Sequence, residues 1–396
     1  MMEPGSYVSR YVEGIPQSGI REIFHEAMKY QDVIHLEIGD PDFTTPRVVI
    51  EEIYRAMLEG YTHYTHNAGL MSLREAIADY YARKYNVVFD PESEVIATIG
   101  SSGGLSLTLL ATVDPGNEVL VPDPGYPSYI PMVMTARGRV ARYKLPEETG
   151  FEVDPGNIVS SVTPKTKVII VNNPHNPTGS VTLDMGKLEE IISYAHEKGI
   201  VVIADEVYES LVYDNARFRS LAELSNYDNV VVVNSFSKTF AMTGLRLGFV
   251  LTKNRKLVEV MTRMQEGLAA CAPAPVQAGV VSALKRYDEI VTPLVKEFEK
   301  RRDVAVVELR KINNISFPYP RGAFYIFINV REYSSDSRSF AKRLLSAKRV
   351  AVAPGAAFGP SGEGYVRLSY TNTVDNLREG IRRIREFLEE QSTARG

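Results

Sequence analysis

Val230-Val-Val-Val-Asn-Ser-Phe-Ser-Lys238 is the stretch on which the fold turns. Four consecutive β-branched residues make an apolar run that ends abruptly in Asn, Ser and Lys, as a buried strand running into a polar loop does. The pattern recurs. Val168 to Val171 leads into Asn172-Asn-Pro-His-Asn-Pro-Thr-Gly179, and Ile200 to Ala204 leads into Asp205-Glu-Val-Tyr208. Val95 to Ile99 meets Gly100-Ser-Ser-Gly-Gly104, and Glu118 to Val121 is a fifth run. Between two of them Leu188, Ile191, Ile192 and Ala195 fall at helical spacing. Apolar runs alternating with amphipathic helices predict a mostly parallel sheet covered on both faces. Ligands bind such sheets outside the carboxyl ends of the strands, so the Gly, Ser, Asn, Asp and Lys clusters should converge on one crevice.

The last third differs. A charged helix is expected from about Asp288 to Ile312, strands at Ala323 to Asn329 and Tyr365 to Tyr370, and a closing amphipathic helix through Leu377, Ile381, Ile384 and Leu388. The expected fold class is α/β: a large domain with a mostly parallel sheet flanked by helices, at about 45–285, plus a smaller α+β domain at 286–396. Residues 1–44 read as an N-terminal segment joining the small domain and an interface. Ser72-Leu-Arg-Glu75 reads as a capping box opening a helix with Leu73, Ile77 and Tyr80 on one side.

Composition narrows the function classes. The chain has 396 residues, 44% of them hydrophobic and 24% charged, which fits a globular protein and excludes disordered and collagen-like classes. Lys plus Arg number 45 against 49 Asp plus Glu, a net charge of −4, so no basic excess suggests nucleic acid. The single cysteine, Cys271, cannot form an intrachain disulfide and suits a reducing compartment. Charges at Glu3, Arg10, Glu13 and Arg21 precede no apolar signal region, and the apolar runs are too short to cross a bilayer. A soluble, cytoplasmic protein is expected. His63 and His66 have no Cys or clear carboxylate partner, so no metal site is expected. The Walker and dinucleotide fingerprints are absent, as is a serine-hydrolase elbow.

Asp205, ending an apolar strand, needs a partner if buried; it could also cap the next turn or pair with an arginine. Lys238, flanked by Ser235, Ser237 and Thr239, is a candidate Schiff-base amine or phosphate ligand, whereas a lone loop lysine is ordinarily a solvated surface charge. Gly100 to Gly104 could cradle a phosphate or be an ordinary turn.

Taken together, several motifs resemble one family. Asn173-Pro-His-Asn-Pro-Thr-Gly179, Asp205-Glu-Val-Tyr208, Ser235-Phe-Ser-Lys-Thr-Phe240 continuing to Gly244-Leu-Arg-Leu-Gly248, and Tyr365-Val-Arg-Leu-Ser369 occur in the order of the class I aminotransferases, pyridoxal-phosphate enzymes of fold type I. Ile38-Gly-Asp-Pro-Asp42, Tyr64…Gly69…Leu73-Arg74, Pro122-Asp-Pro-Gly-Tyr-Pro-Ser-Tyr129 and Pro354-Gly-Ala-Ala-Phe-Gly359 match too. The resemblance implies that Lys238 carries the cofactor as a Schiff base and shuttles the proton, and that Asp205 pairs with the pyridine nitrogen. It implies that Tyr208 and Asn176 bond the ring 3′-oxygen and that Tyr126 stacks on the ring. The phosphate would lie on the Ser102 and Gly103 amides with Ser235, Ser237 and Arg246, and on Tyr64 of a neighbouring subunit, which implies a homodimer with shared active sites. Arg367 would hold the substrate α-carboxylate, helped by Asn176, with Gly39 closing the pocket. The implied reaction moves the amino group of an L-amino acid (aspartate, aromatic or broad specificity) to a 2-oxo acid, by default 2-oxoglutarate. A C–S lyase or an aminocyclopropane-carboxylate-synthase-like enzyme on the same fold is the alternative, and a non-catalytic regulator a remote one. No arginine in these motifs is marked for a distal carboxylate.

Overall fold

The computed structural model describes residues 7–9 and 11–393; Glu3 and Arg10 lie outside the described residues. The strands are β1 (Ile34–His35), β2 (Val95–Thr98), β3 (Glu118–Asp123), β4 (Arg139–Lys144), β5 (Thr166–Asn172), β6 (Val201–Asp205), β7 (Val230–Ser235), β8 (Gly248–Leu251), β9 (Tyr325–Asn329), β10 (Val350–Ala351), β11 (Ala353–Pro354) and β12 (Tyr365–Ser369).

Seven of them form the main sheet, in the order β2-β8-β7-β6-β5-β3-β4, and only β8 runs against the rest. Side chains alternate between its two faces. Val168, Ile170, Ile203, Val231 and Val233 enter one apolar cluster, while Ile169, Val171, Val202, Ala204 and Val232 enter another. Both faces are therefore dry, which is why these strands read as unbroken apolar runs. The two strands that the sequence patterns did not reveal have clear reasons. β4 is an edge strand whose residues are mostly exposed or half-buried, so its sequence alternates Arg, Val, Ala, Arg, Tyr and Lys. β8 has four residues and begins with a glycine whose would-be Cβ meets the backbone of Gly100 and Ser101.

The labelled helices that shape the site are α1 (Gly19–Ala27), α2 (Arg47–Leu58), α3 (Met71–Tyr85) and α4 (Gly100–Thr112). α3 corrects one expectation. It starts at Met71, with Leu70 at the cap position and no side-chain cap, so Ser72 and Glu75 lie inside the helix rather than forming a capping box. The Leu70 amide is instead held by Gln277 Oε1 at 2.7 Å, a tertiary bond that sets the helix start. α4 also begins sooner than a turn reading of Gly100 to Gly104 allows, because that run is itself its first turn.

The C-terminal region builds a separate antiparallel sheet, β11-β12-β9, backed by the helices Tyr287–Leu309, Ser337–Lys348 and Val374–Thr393. Its core contains Phe298, Phe324, Ile326, Leu344, Leu377 and Ile381. The N-terminal chain joins this part: β1 pairs in parallel with β10, and Ile23 and Leu36 enter the same core. Among the described residues no helix is long and apolar enough to cross a membrane.

Candidate active site

The parallel strands deliver their polar ends to one edge, as the strand-end pattern predicts. Asn172 pairs with Asp205 in the β5–β6 register, and the Asn172 amide side chain donates to the Asp205 carbonyl at 3.0 Å. Asp205 is buried. Its Oδ2 accepts from Tyr129 Oη at 2.6 Å, and its Oδ1 has only a long contact, 3.4 Å, from the Val207 amide. Burial pushes its carboxyl up to about 6, against the two hydrogen bonds.

Lys238 follows β7 in a single helical turn, Phe236–Thr239, whose start is capped by Ser235 Oγ on the Ser237 amide at 3.1 Å. Its Nζ donates to the Gly39 carbonyl at 2.6 Å. Burial pushes the amine down to about 8; Asp40 opposes this, while the guanidinium groups of Arg367 and Arg246 assist it.

Arg367 stands in the middle of β12 and is buried. Its Nη1 donates to Asn176 Oδ1 at 2.9 Å and its Nη2 to the Glu37 carbonyl, while Nε finds no partner among the described residues. The guanidinium lies 4.2 Å from the Tyr325 ring centre. It belongs to no ion pair among the described residues, and burial lowers its pKa. A buried cation with a spare donor is an anion-binding group. Tyr325 Oη shares a 2.8 Å hydrogen bond with Tyr208 Oη.

Gly39, Tyr126, Asn176, Asp205, Tyr208, Lys238 and Arg367 all line one cavity of about 290 Å³. The other predicted residues stand apart from that lining. Arg246 packs on the start of α4: a Cβ on Gly100 would come within 2.5 Å of its Nη2, and Nη1 donates to the Thr243 carbonyl. Ser235 and Ser237 share a 2.8 Å hydroxyl–hydroxyl bond. α4 has no side-chain cap, so its first amides point outward unpaired. Gly103 is a correction: its amide donates to the Ile99 carbonyl at 3.3 Å and closes the first turn, which leaves Ser101 and Ser102 as the outward amides. Ser101 reaches the cavity. Tyr64 is 87% exposed and lines a different surface depression with Cys271 and Pro273, away from its own chain's Lys238.

Three contributors escaped the sequence reading. Tyr129 lies in a quoted motif without a role, Tyr325 is hidden inside a strand pattern, and Glu37 acts through its carbonyl, which no side-chain pattern can announce. His175, by contrast, serves the Asn/Pro loop: its Nδ1 meets Thr178 Oγ1 at 2.8 Å, and burial pushes it down to about 3.

A lysine of lowered basicity, a buried carboxylate and a buried arginine at the carboxyl edge of this sheet define the class of pyridoxal-phosphate enzymes of fold type I. The comparisons agree and narrow the class. The family model for aminotransferases of class I and II matches residues 31–384. The aspartate aminotransferase of Pyrococcus horikoshii is 38% identical over 385 residues, 97% of this chain and 97% of that one. The aromatic-amino-acid aminotransferase 2 of Thermococcus litoralis is 36% identical over 97% of this chain and 99% of its own. The crystal structure of an aromatic aminotransferase from Pyrococcus horikoshii superposes with a TM-score of 0.88 at 38% identity, covering 93% of this chain and 99% of that one. The chain belongs to the class I and II aminotransferases, and it is a pyridoxal-phosphate-dependent aminotransferase of the aspartate aminotransferase fold.

Proposed function

We propose that the cavity transfers the amino group of an L-amino acid, aspartate or an aromatic or broader set, to a 2-oxo acid, with 2-oxoglutarate as the default acceptor. The observation that carries this is Arg367, a buried guanidinium in no ion pair among the described residues, which lines the same cavity as Lys238. Its fork suits the α-carboxylate shared by every amino and 2-oxo acid.

The residues present fit pyridoxal phosphate. Asp205 has an oxygen with only one long contact, free for a protonated ring nitrogen. Tyr208 and Asn176 would face the ring 3′-oxygen, and Tyr126 the ring. The Ser101 and Ser102 amides, with Ser235, Ser237 and Arg246, would hold the phosphate, as an uncapped helix start beside an arginine does. When bound, the cofactor supplies an aldehyde for the amino group and a ring that draws electrons from the substrate Cα.

The chain's own residues do the rest. Lys238, with its amine pushed down to about 8, is partly neutral near pH 7 and can take the proton from the substrate Cα or return it. Asp205 would hold a positive charge at the ring nitrogen, and the Tyr129 hydrogen bond favours the ionised acid against the effect of burial. Asn176 and Tyr325 hold Arg367 in place. Residues 1–44 and 286–396 would move together over residues 45–285 as substrate enters, since β1 is paired to β10.

The active form proposed is a homodimer in the cytoplasm. Ile50, Tyr54 and Met57 on α2 are exposed apolar residues, as is Tyr64, which would reach the phosphate of the partner's cofactor. The single cysteine suits a reducing compartment. Half-reaction spectroscopy of the loaded enzyme against single amino acids tests the proposal. Conversion to the pyridoxamine form is expected with wild type and none with Lys238→Ala. Release of pyruvate or sulfide without a 2-oxo acid would replace transamination by the lyase activity.

A further inference from the structure

The transamination proposed above gives tasks to Asp205, Tyr208 and Lys238 but none to Glu209, a buried carboxylate next to Tyr208. Asp205 ends β6, and Tyr208 lies in the tight turn that follows. There the Glu209 amide donates to the Glu206 carbonyl at 2.9 Å and the Leu211 amide to the Tyr208 carbonyl at 2.8 Å. Val207 and Tyr208 line the cavity, whereas Glu206 and Glu209 do not. The two acids anchor the turn from behind. Glu206 accepts from Ser220 Oγ at 2.6 Å and from the Leu221 amide at 2.7 Å. Glu209 is 3% exposed and has both oxygens occupied. Its Oε1 accepts from Tyr80 Oη at 2.6 Å; its Oε2 accepts from Tyr85 Oη and, at 2.5 Å, from Lys84 Nζ.

These partners form a cage at the end of α3. Lys84 Nζ also donates to Tyr80 Oη at 2.7 Å and to Tyr287 Oη at 3.1 Å, and it lies 4.9–5.4 Å from the ring centres of Tyr80, Tyr85 and Tyr287. Burial opposes the charge on Lys84, but Glu209 outweighs it and the amine stays protonated. On its other side, Glu209 shares a gap of only about 10 Å³ with Ser235, Phe236 and Thr239, the turn that bears Lys238. So little free space means that a shift of one wall is passed to the other. Ser210 adds a direct link: its Oγ shares a 3.0 Å hydrogen bond with Oγ1 of Thr239, the residue after Lys238. We propose that Glu209, paired with Lys84, is a positioning residue that fixes Tyr208 and, through Ser210 and Thr239, the Lys238 turn in register with each other. It lines no part of the cavity and acts only through these neighbours. The inference rests on the roles proposed above for Tyr208 and Lys238.

The test compares Glu209→Gln and the double variant Glu209→Gln/Lys84→Met with wild type, all loaded with cofactor. Glu209→Gln leaves Lys84 without its counter-charge, so its urea midpoint should fall; the double variant removes the lone charge and should regain most of that stability. Catalysis should not return with it, because a Gln–Met pair lacks the charge-assisted bonds that hold Glu209 in place. In both variants kcat for the best amino acid is expected to drop by about 10-fold, with KM within about twofold because Arg367 is untouched. Absorbance gives a readout independent of turnover. A hydrogen bond from Tyr208 to the ring 3′-oxygen draws charge from the ring and makes the Lys238 nitrogen less basic. Loosening it should raise the pH midpoint at which the bound cofactor's absorbance titrates by about 0.5 unit. A double variant with kcat or absorbance midpoint at the wild-type value would overturn the assignment, since a role confined to stability moves the urea midpoint alone. A loss carried by KM would overturn it equally. A cofactor absorbance that is the same in wild type and Lys238→Ala would instead overturn the role of Lys238 itself.

Discussion

Replacing Gly39 by alanine would put a methyl group where Tyr325 already stands. An ideal Cβ at Gly39 overlaps Tyr325 Oη and comes within 2.7 Å of its Cζ. Carbon atoms pack at about 3.5–4.0 Å, so something must move by roughly 1 Å. Tyr325 has little freedom. It is buried, its strand pairs with β12, its face carries the Arg367 guanidinium and its hydroxyl bonds Tyr208. Gly39 has little either, because its carbonyl accepts from Lys238. The displacement therefore passes to Lys238, Tyr208 or Arg367, whichever yields first. Misplacing reacting groups by about 1 Å costs on the order of 10²-fold in rate, so kcat/KM for the best amino acid should fall about 10²-fold in Gly39→Ala. Overpacking should lower stability by about 1–3 kcal/mol, measured by urea unfolding of the loaded enzyme. Adding Tyr325→Phe removes the overlapping hydroxyl and should recover part of the stability. A Gly39→Ala enzyme with kcat/KM within twofold of wild type and an unchanged urea midpoint would refute this account of how Gly39, Tyr325 and Lys238 fit together.

Three further outcomes are expected. Tyr129→Phe removes the 2.6 Å donor from Asp205, whose carboxyl then rises further above about 6; the acid limb of the kcat/KM–pH profile should move up by about 1 unit, the scale of one charge-assisted hydrogen bond. The Lys238 amine is protonated below about 8, so reloading of apoenzyme with cofactor, followed by absorbance, should speed up as pH rises through 8 and level off above it; Arg367→Met removes a nearby cation and should move that midpoint upward. Glu206 is buried beneath Ser220 and the Leu221 amide, and burial pushes its carboxyl up from 4.5 to about 8. A raised carboxyl favours folding at low pH and loses that contribution as pH rises through the window up to about 8, so Glu206→Gln should flatten the decline of urea stability between about pH 5 and 8.

Much of the fold was legible because the sheet is dry on both faces. β5, β6 and β7 had to be apolar through Val168–Val171, Val201–Ala204 and Val230–Val233, and Asn172, Asp205 and Asn234 mark where each apolar run ends. The side chains that line the cavity from those strand ends were therefore readable as chemistry. What stayed hidden depends on contacts between distant segments. β4 carries arginines because one edge faces solvent, and the start of α3 is set by Gln277, 207 residues away. Tyr129 becomes a partner of Asp205, 76 positions further along, only once the intervening chain has folded back. The Gly103 amide was misjudged for a local reason: helix formation begins at Gly100 and consumes it.

The short stretch from Glu37 to Gly39 has an effect out of proportion to its chemistry. Through the main-chain oxygens of Glu37 and Gly39 it tethers the guanidinium of Arg367 and the amine of Lys238. A molecule that draws on Arg367 Nη2 or on Lys238 Nζ competes with a main-chain oxygen of this stretch. Affinity and access are thus tuned by peptide geometry, and a change in the position of the N-terminal arm alters both groups together.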